Sequence, residues 1–93
     1  FTDSAAIRPF TNALAPAADS ALAGQALAKA QTLNIPVHAG PLFSTDLFYS
    51  PDTTRYEQPT AEGVLGVDME TAMLYAMASY FNIRAVALLT VCD

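Results

Sequence analysis

Apolar residues recur at helical spacing along residues 17–33. Leu22, Ala23, Ala26, Leu27, Ala30 and Leu33 fall on one face, with Gln25, Lys29 and Thr32 opposite. The pattern predicts an amphipathic helix of about 15 residues that ends near Asn34, with Pro16 in its first turn, where a missing N–H is tolerated. Residues 1–15 read as a loop, opening on Phe-Thr-Asp-Ser and broken by Pro9. A second helical pattern covers 69–82, with Met69, Met73, Ala76 and Tyr80 on one face and Leu74, Met77 and Phe81 beside it. Strands are expected at 35–44, at 64–67 and at 84–93. The last is a nearly continuous apolar run ending in an acid, which suits a central strand buried on both faces. Ser50-Pro51-Asp52 favours a turn, and Pro59 and Gly63 interrupt a stretch that fits neither period. The order helix, strand, strand, helix, strand predicts an α/β fold with a largely parallel or mixed sheet. Residues 1–93 read as a single partial domain, with no repeat or linker.

Composition sharpens this picture. Of 93 residues, 53% are hydrophobic and only 14% charged, an apolar balance for so short a chain. A small domain has much surface to cover, so some apolar faces are expected to meet other protein. The net charge is -5, and the only cations besides His38 are Arg8, Lys29, Arg55 and Arg84. No basic stripe exists to neutralise phosphates, which argues against a nucleic-acid partner. A single cysteine, Cys92, allows no internal disulfide and fits a reducing compartment such as the cytoplasm. One His and one Cys do not make a thiolate zinc site, and no metal is expected. No apolar stretch is long enough to span a membrane, and no signal-peptide pattern opens the chain.

Charges inside the apolar run 63–74, Gly-Val-Leu-Gly-Val-Asp-Met-Glu-Thr-Ala-Met-Leu, require a partner. Asp68 and Glu70 each suit a helix start, by capping and by the helix dipole. Capping needs only one of them; a carboxylate in that setting also accepts hydrogen bonds from a diol such as a ribose. Asp93 follows Ala-Val-Ala-Leu-Leu-Thr-Val-Cys, at the C-terminal end of the expected buried strand. It either ends a strand at the surface or, partly desolvated at the edge where α/β sheets bind ligands, holds a proton and acts as a general acid. Phe48 and Tyr49 beside the turn are either local core or a flat platform for a heterocyclic base. His38 reads as structural and Cys92 as a small buried residue.

Together, residues 40–52 (Gly-Pro-Leu-Phe-Ser-Thr-Asp-Leu-Phe-Tyr-Ser-Pro-Asp), 63–81 and 85–93 resemble the purine nucleoside phosphorylases of bacterial, trimeric-and-hexameric type, within the nucleoside phosphorylase superfamily. The opening Phe-Thr-Asp-Ser and the helix at 17–33 fit the same register, so the resemblance covers essentially the whole chain. The Val-Asp-Met-Glu-x-Ala element is shared across the superfamily, while Leu-Phe-Ser-Thr-Asp-Leu-Phe-Tyr-Ser-Pro-Asp points to the purine branch.

The resemblance implies a three-layer α/β/α fold with a mixed central sheet, of which this chain is a central-to-late segment. It implies Met69 and Glu70 at the ribose, Phe48 and Val67 at the base, and Asp93 as the acid that protonates the departing purine. Asp68 stands where the family more often has Glu and reaches less far, which leaves its role open between a ligand contact and the helix start. Cys92 stands where Ser is common. The implied reaction is phosphate-dependent cleavage of purine nucleosides, with inorganic phosphate as co-substrate, no other cofactor and a homo-oligomer of the trimer-of-dimers type. The phosphate loop is expected upstream of Phe1, since Arg8, Arg55 and Arg84 match none of its arginines; alone, the segment is expected to be inactive. Two alternatives share parts of the pattern: a methylthioadenosine/S-adenosylhomocysteine nucleosidase, which uses water, and a non-catalytic α/β interaction module.

Overall fold

The computed structural model describes residues 1–92, and the expected acid, Asp93, lies outside them. The elements are α1 (Ser20–Thr32), β1 (Leu42–Ser44), α2 (Glu57–Ala61), β2 (Gly66–Asp68) and α3 (Thr71–Tyr80). The α/β class is as expected. The sheet among the described residues has two strands, β1 and β2, paired in parallel as Leu42↔Gly66, Phe43↔Val67 and Ser44↔Asp68. Both strands described run parallel, so the expected mixed sheet is not shown among the described residues. Thr2 extends it by one isolated parallel bridge to Ser44, so the opening residues are not a free loop.

Helix ends follow local chemistry. Asp19, not a first-turn Pro16, starts α1: its carboxylate accepts from the Leu22 N–H at 2.9 Å. All three helices stop on a left-handed residue: Asn34 (φ 56), Gly63 (φ 80) and Asn82 (φ 56). The residue after each reaches back into the last turn, as Ile35 N–H does to the Ala30 carbonyl at 2.9 Å and Ile83 N–H to that of Ala78 at 2.8 Å. Asn pays less than other non-glycine residues for this conformation, so both Asn-Ile pairs mark stops.

Two expected strands are shorter or absent. Of 35–44 only Leu42–Ser44 pairs; Pro36 and Pro41 have no N–H to offer a ladder, and His38 is exposed rather than structural. Residues 84–92 join no sheet. Their backbone is engaged elsewhere: the Ala85 carbonyl accepts from Asp19 N–H at 2.9 Å, and Ala87 N–H donates to the Tyr75 hydroxyl at 2.9 Å. Leu88 and Val91 are exposed, and so is Cys92, which is not the buried residue expected.

The buried apolar set is small: Ile7, Phe43, Ala72 and Ala76. On α3 the buried residues are Thr71, Ala72 and Ala76, and the Ala72 N–H donates to Ser44 of β1, while the larger Leu74, Met77 and Tyr80 stay exposed. Small side chains let the helix approach the strand, and bulkier ones are held away from that contact. The accessible surface is 6806 Å², against about 5,200 Å² for a compact folded monomer of this mass. Large apolar side chains such as Leu14, Ile83, Leu88 and Val91 are exposed within it.

Candidate functional site

The chain leaves both parallel strands at the same edge, and that edge carries the site. After β1 it runs through Thr45 to Phe48; after β2 it bends through Met69 and Glu70 before α3. Side chains from both exits line a groove of about 400 Å³ that contains Phe48, Val67, Met69 and Glu70, with Arg55 and Tyr56 on its wall. Four of the five residues singled out from sequence therefore share one concavity, at the carboxyl ends of parallel strands where α/β proteins take ligands. Its size falls in the range of small-molecule pockets. Met69 and Glu70 also border a second cavity of about 230 Å³, shared with Thr2, Ser4, Ser44 and Asp46.

The two acids of the apolar run separate cleanly. Asp68 is the helix anchor: one carboxylate oxygen accepts from the Thr71 N–H at 3.2 Å and from the Thr71 hydroxyl, and the other accepts from the Ser44 hydroxyl at 2.5 Å. Ser44 in turn accepts from the Ala72 N–H at 3.0 Å. The first two N–H groups of α3 are thus satisfied from the strand ends, and the helix dipole favours the negative charge. Glu70 stands at the N-cap position, yet its side chain makes no cap bond to α3. It is exposed, and one of its oxygens accepts from the Met69 N–H at 3.2 Å. A carboxylate has several acceptor sites, so Glu70 keeps capacity for hydroxyl donors in the groove.

Phe48 and Tyr49 are not core: they are 69% and 87% exposed, with their rings edge-to-face at 4.9 Å. Val67 and Met69 are half-exposed and give the groove its aliphatic wall. The arrangement brings an aromatic ring, an apolar wall and an acceptor-only group into one groove. That chemistry suits a flat heterocycle joined to a polyol.

Ser44, Arg55 and Tyr56 escaped the reading of the sequence. Arg55 donates to the carbonyls of Leu47 at 2.7 Å and Phe48 at 3.0 Å, and also to the Tyr56 hydroxyl. The signal available was rarity: a cation beside an aromatic in a chain with four Lys and Arg residues in total. Among the described residues, no three His, Cys, Asp or Glu side chains gather as a metal site, and no helix is long and apolar enough to cross a membrane.

The family model for the phosphorylase superfamily matches residues 2–93. This chain belongs to the phosphorylase superfamily. The superfamily match is accompanied by curated relatives. Over 76 residues the chain is 46% identical to a purine nucleoside phosphorylase of DeoD type from Aliivibrio salmonicida, covering 82% of this chain and 32% of the relative. An equal identity and coverage hold for the protein of that name from Tolumonas auensis. With that of Actinobacillus succinogenes the identity is 42% over 87 residues, covering 94% of this chain and 37% of the relative. The chain therefore spans about a third of the length of these phosphorylase relatives.

Proposed function

We propose that this chain supplies the nucleoside-binding part of a purine nucleoside phosphorylase. The observation that carries the reading is the groove in which Phe48, Val67, Met69 and Glu70 converge at the strand ends. The purine lies against Phe48 and Val67. The pentose lies over Met69, with its hydroxyls donating to Glu70. Inorganic phosphate is the co-substrate, and no other cofactor takes part. The names of the relatives favour this reading over a nucleosidase or a non-catalytic module.

In the reaction, a phosphate oxygen bonds to the anomeric carbon as the carbon–nitrogen bond breaks. The transition state resembles the oxocarbenium ion of glycoside hydrolysis. The bonding pair departs with the purine, and Asp93 delivers the proton that neutralises it. The products are the free base and the pentose 1-phosphate. Glu70 contributes by fixing the sugar's orientation.

Residues 1–93 belong, in this reading, to a larger three-layer α/β/α domain, and the uncovered apolar surface is where its other layers and further subunits of a cytoplasmic homo-oligomer pack. The test is release of free purine from inosine or adenosine by the full-length protein, with and without phosphate. Release that requires phosphate and yields pentose 1-phosphate supports the reading. Release in water alone identifies a nucleosidase, and no release identifies a non-catalytic module.

A further inference from the structure

We infer that Arg55 is a positioning residue that sets the aromatic platform Phe48, an inference that rests on the nucleoside reading of the groove. Phe48 is 69% exposed on its loop, so packing does little to fix its ring, which meets that of Tyr49, also exposed, edge-on. Its backbone is fixed instead. The planar guanidinium of Arg55 forks across two successive carbonyls, Leu47 at 2.7 Å and Phe48 at 3.0 Å. Few side chains span two carbonyls in this way; Lys is a point donor and does not.

Arg55 is itself held. Its guanidinium lies 4.5 Å from the centre of the Tyr56 ring and donates to the Tyr56 hydroxyl. Tyr56 packs edge-on against Phe43 at 6.1 Å, and Phe43 is a buried residue of β1. A continuous path therefore runs from the sheet through Phe43, Tyr56 and Arg55 to the backbone of Phe48. Val67, the register partner of Phe43, forms part of the same groove. The path ties the platform to the strand pair that carries Val67, so the placement of Phe48 relative to Val67 depends on Arg55.

A device that holds a platform acts on binding of the base in ground and transition states alike, so its loss appears chiefly in KM. In the full-length protein, Arg55→Met keeps an aliphatic side chain and removes the fork. It should raise the KM for inosine about tenfold, leave kcat within about threefold and leave the KM for phosphate unchanged. Arg55→Lys should move the same way by a smaller amount, and it carries the test if the Met variant does not fold. The deciding experiment adds Phe48→Ala. If Arg55 acts through Phe48, Arg55→Met in the Phe48→Ala background should raise KM by less than about twofold. Multiplying effects, or unchanged inosine KM in both Arg55 variants while Phe48→Ala raises it, overturns the positioning role alone. An unchanged KM in Phe48→Ala itself overturns the nucleoside reading of the groove and this inference with it.

Discussion

Ser44 and Asp68 are register partners at the ends of the two parallel strands, and the Ser44 hydroxyl donates to the Asp68 carboxylate at 2.5 Å. Between them they satisfy the N–H groups of Thr71 and Ala72, the first two of α3. This pins the helix start to the sheet edge and leaves the two intervening residues, Met69 and Glu70, in a bend at the groove. A structural acid thereby places Glu70, the proposed acceptor for the ribose hydroxyls, two residues away.

Loss of that anchor should destabilise the protein. Asp68→Ala and Ser44→Ala should each cost about 1–2 kcal/mol, because each strands helix N–H groups at a partly buried site. The double variant should lose clearly less than the sum, since the two side chains serve one network. Denaturant unfolding of the full-length variants measures this. Additive losses would mean that the two residues act independently.

The loop beyond Phe48 carries its own titratable lock. The Thr54 hydroxyl and N–H both donate to Asp52, at 2.7 and 2.9 Å, and hold its carboxyl below the usual carboxylate value, the hydroxyl contributing most. A lowered folded value contributes loop order above the unfolded value, and that contribution is lost as pH falls through the folded one. The site is exposed, so the effect on global stability is small. Thr54→Val should raise the Asp52 titration midpoint, read by NMR of the side-chain carboxyl; an unmoved midpoint would assign the shift to something other than the Thr54 hydroxyl.

Much of this was legible in the sequence where short-range chemistry decides. Asn34 and Asn82 end helices because left-handed backbone is inexpensive for Asn, and the apolar period placed α1 and α3 to within a few residues. Phe48, Val67, Met69 and Glu70 came from motifs that resemble a family, and the structure brings these four to one groove. What escaped depends on neighbours distant in the chain. Strand status at 84–92 needs a laddered partner, which no run of Val and Leu guarantees. Of the expected apolar face of α3, Ala76 is buried as its spacing implied, but the large Tyr80 is exposed and the small Ala72, outside that face, is buried, because cover for large side chains depends on neighbours the period does not specify. Ser44 and Arg55 matter through partners 24 and 7–8 residues away, and no local pattern announces them.

The acid catalysis proposed for Asp93 makes a leaving-group prediction. Asp93→Asn keeps the shape of the side chain and delivers no proton. In the full-length protein it should slow cleavage of inosine and adenosine on the order of 10²-fold or more. The loss should shrink for 7-methylated purine nucleosides, whose cationic base departs without protonation. Equal slowing of both substrate types would make Asp93 a positioning residue.

The most direct measurement for the account is kcat/KM of Glu70→Ala in the full-length protein with a purine nucleoside, beside its thermal unfolding. Glu70 makes no cap bond to α3 and is exposed, so its removal should leave the melting temperature nearly unchanged. A hydrogen bond to a charged group contributes about 1.5–3 kcal/mol, so kcat/KM should fall at least about tenfold. Asp68→Asn should show the reverse pattern, with lower stability and a smaller kinetic loss. If Glu70→Ala turns over nucleoside at the wild-type rate, the groove at the strand ends is not the sugar site.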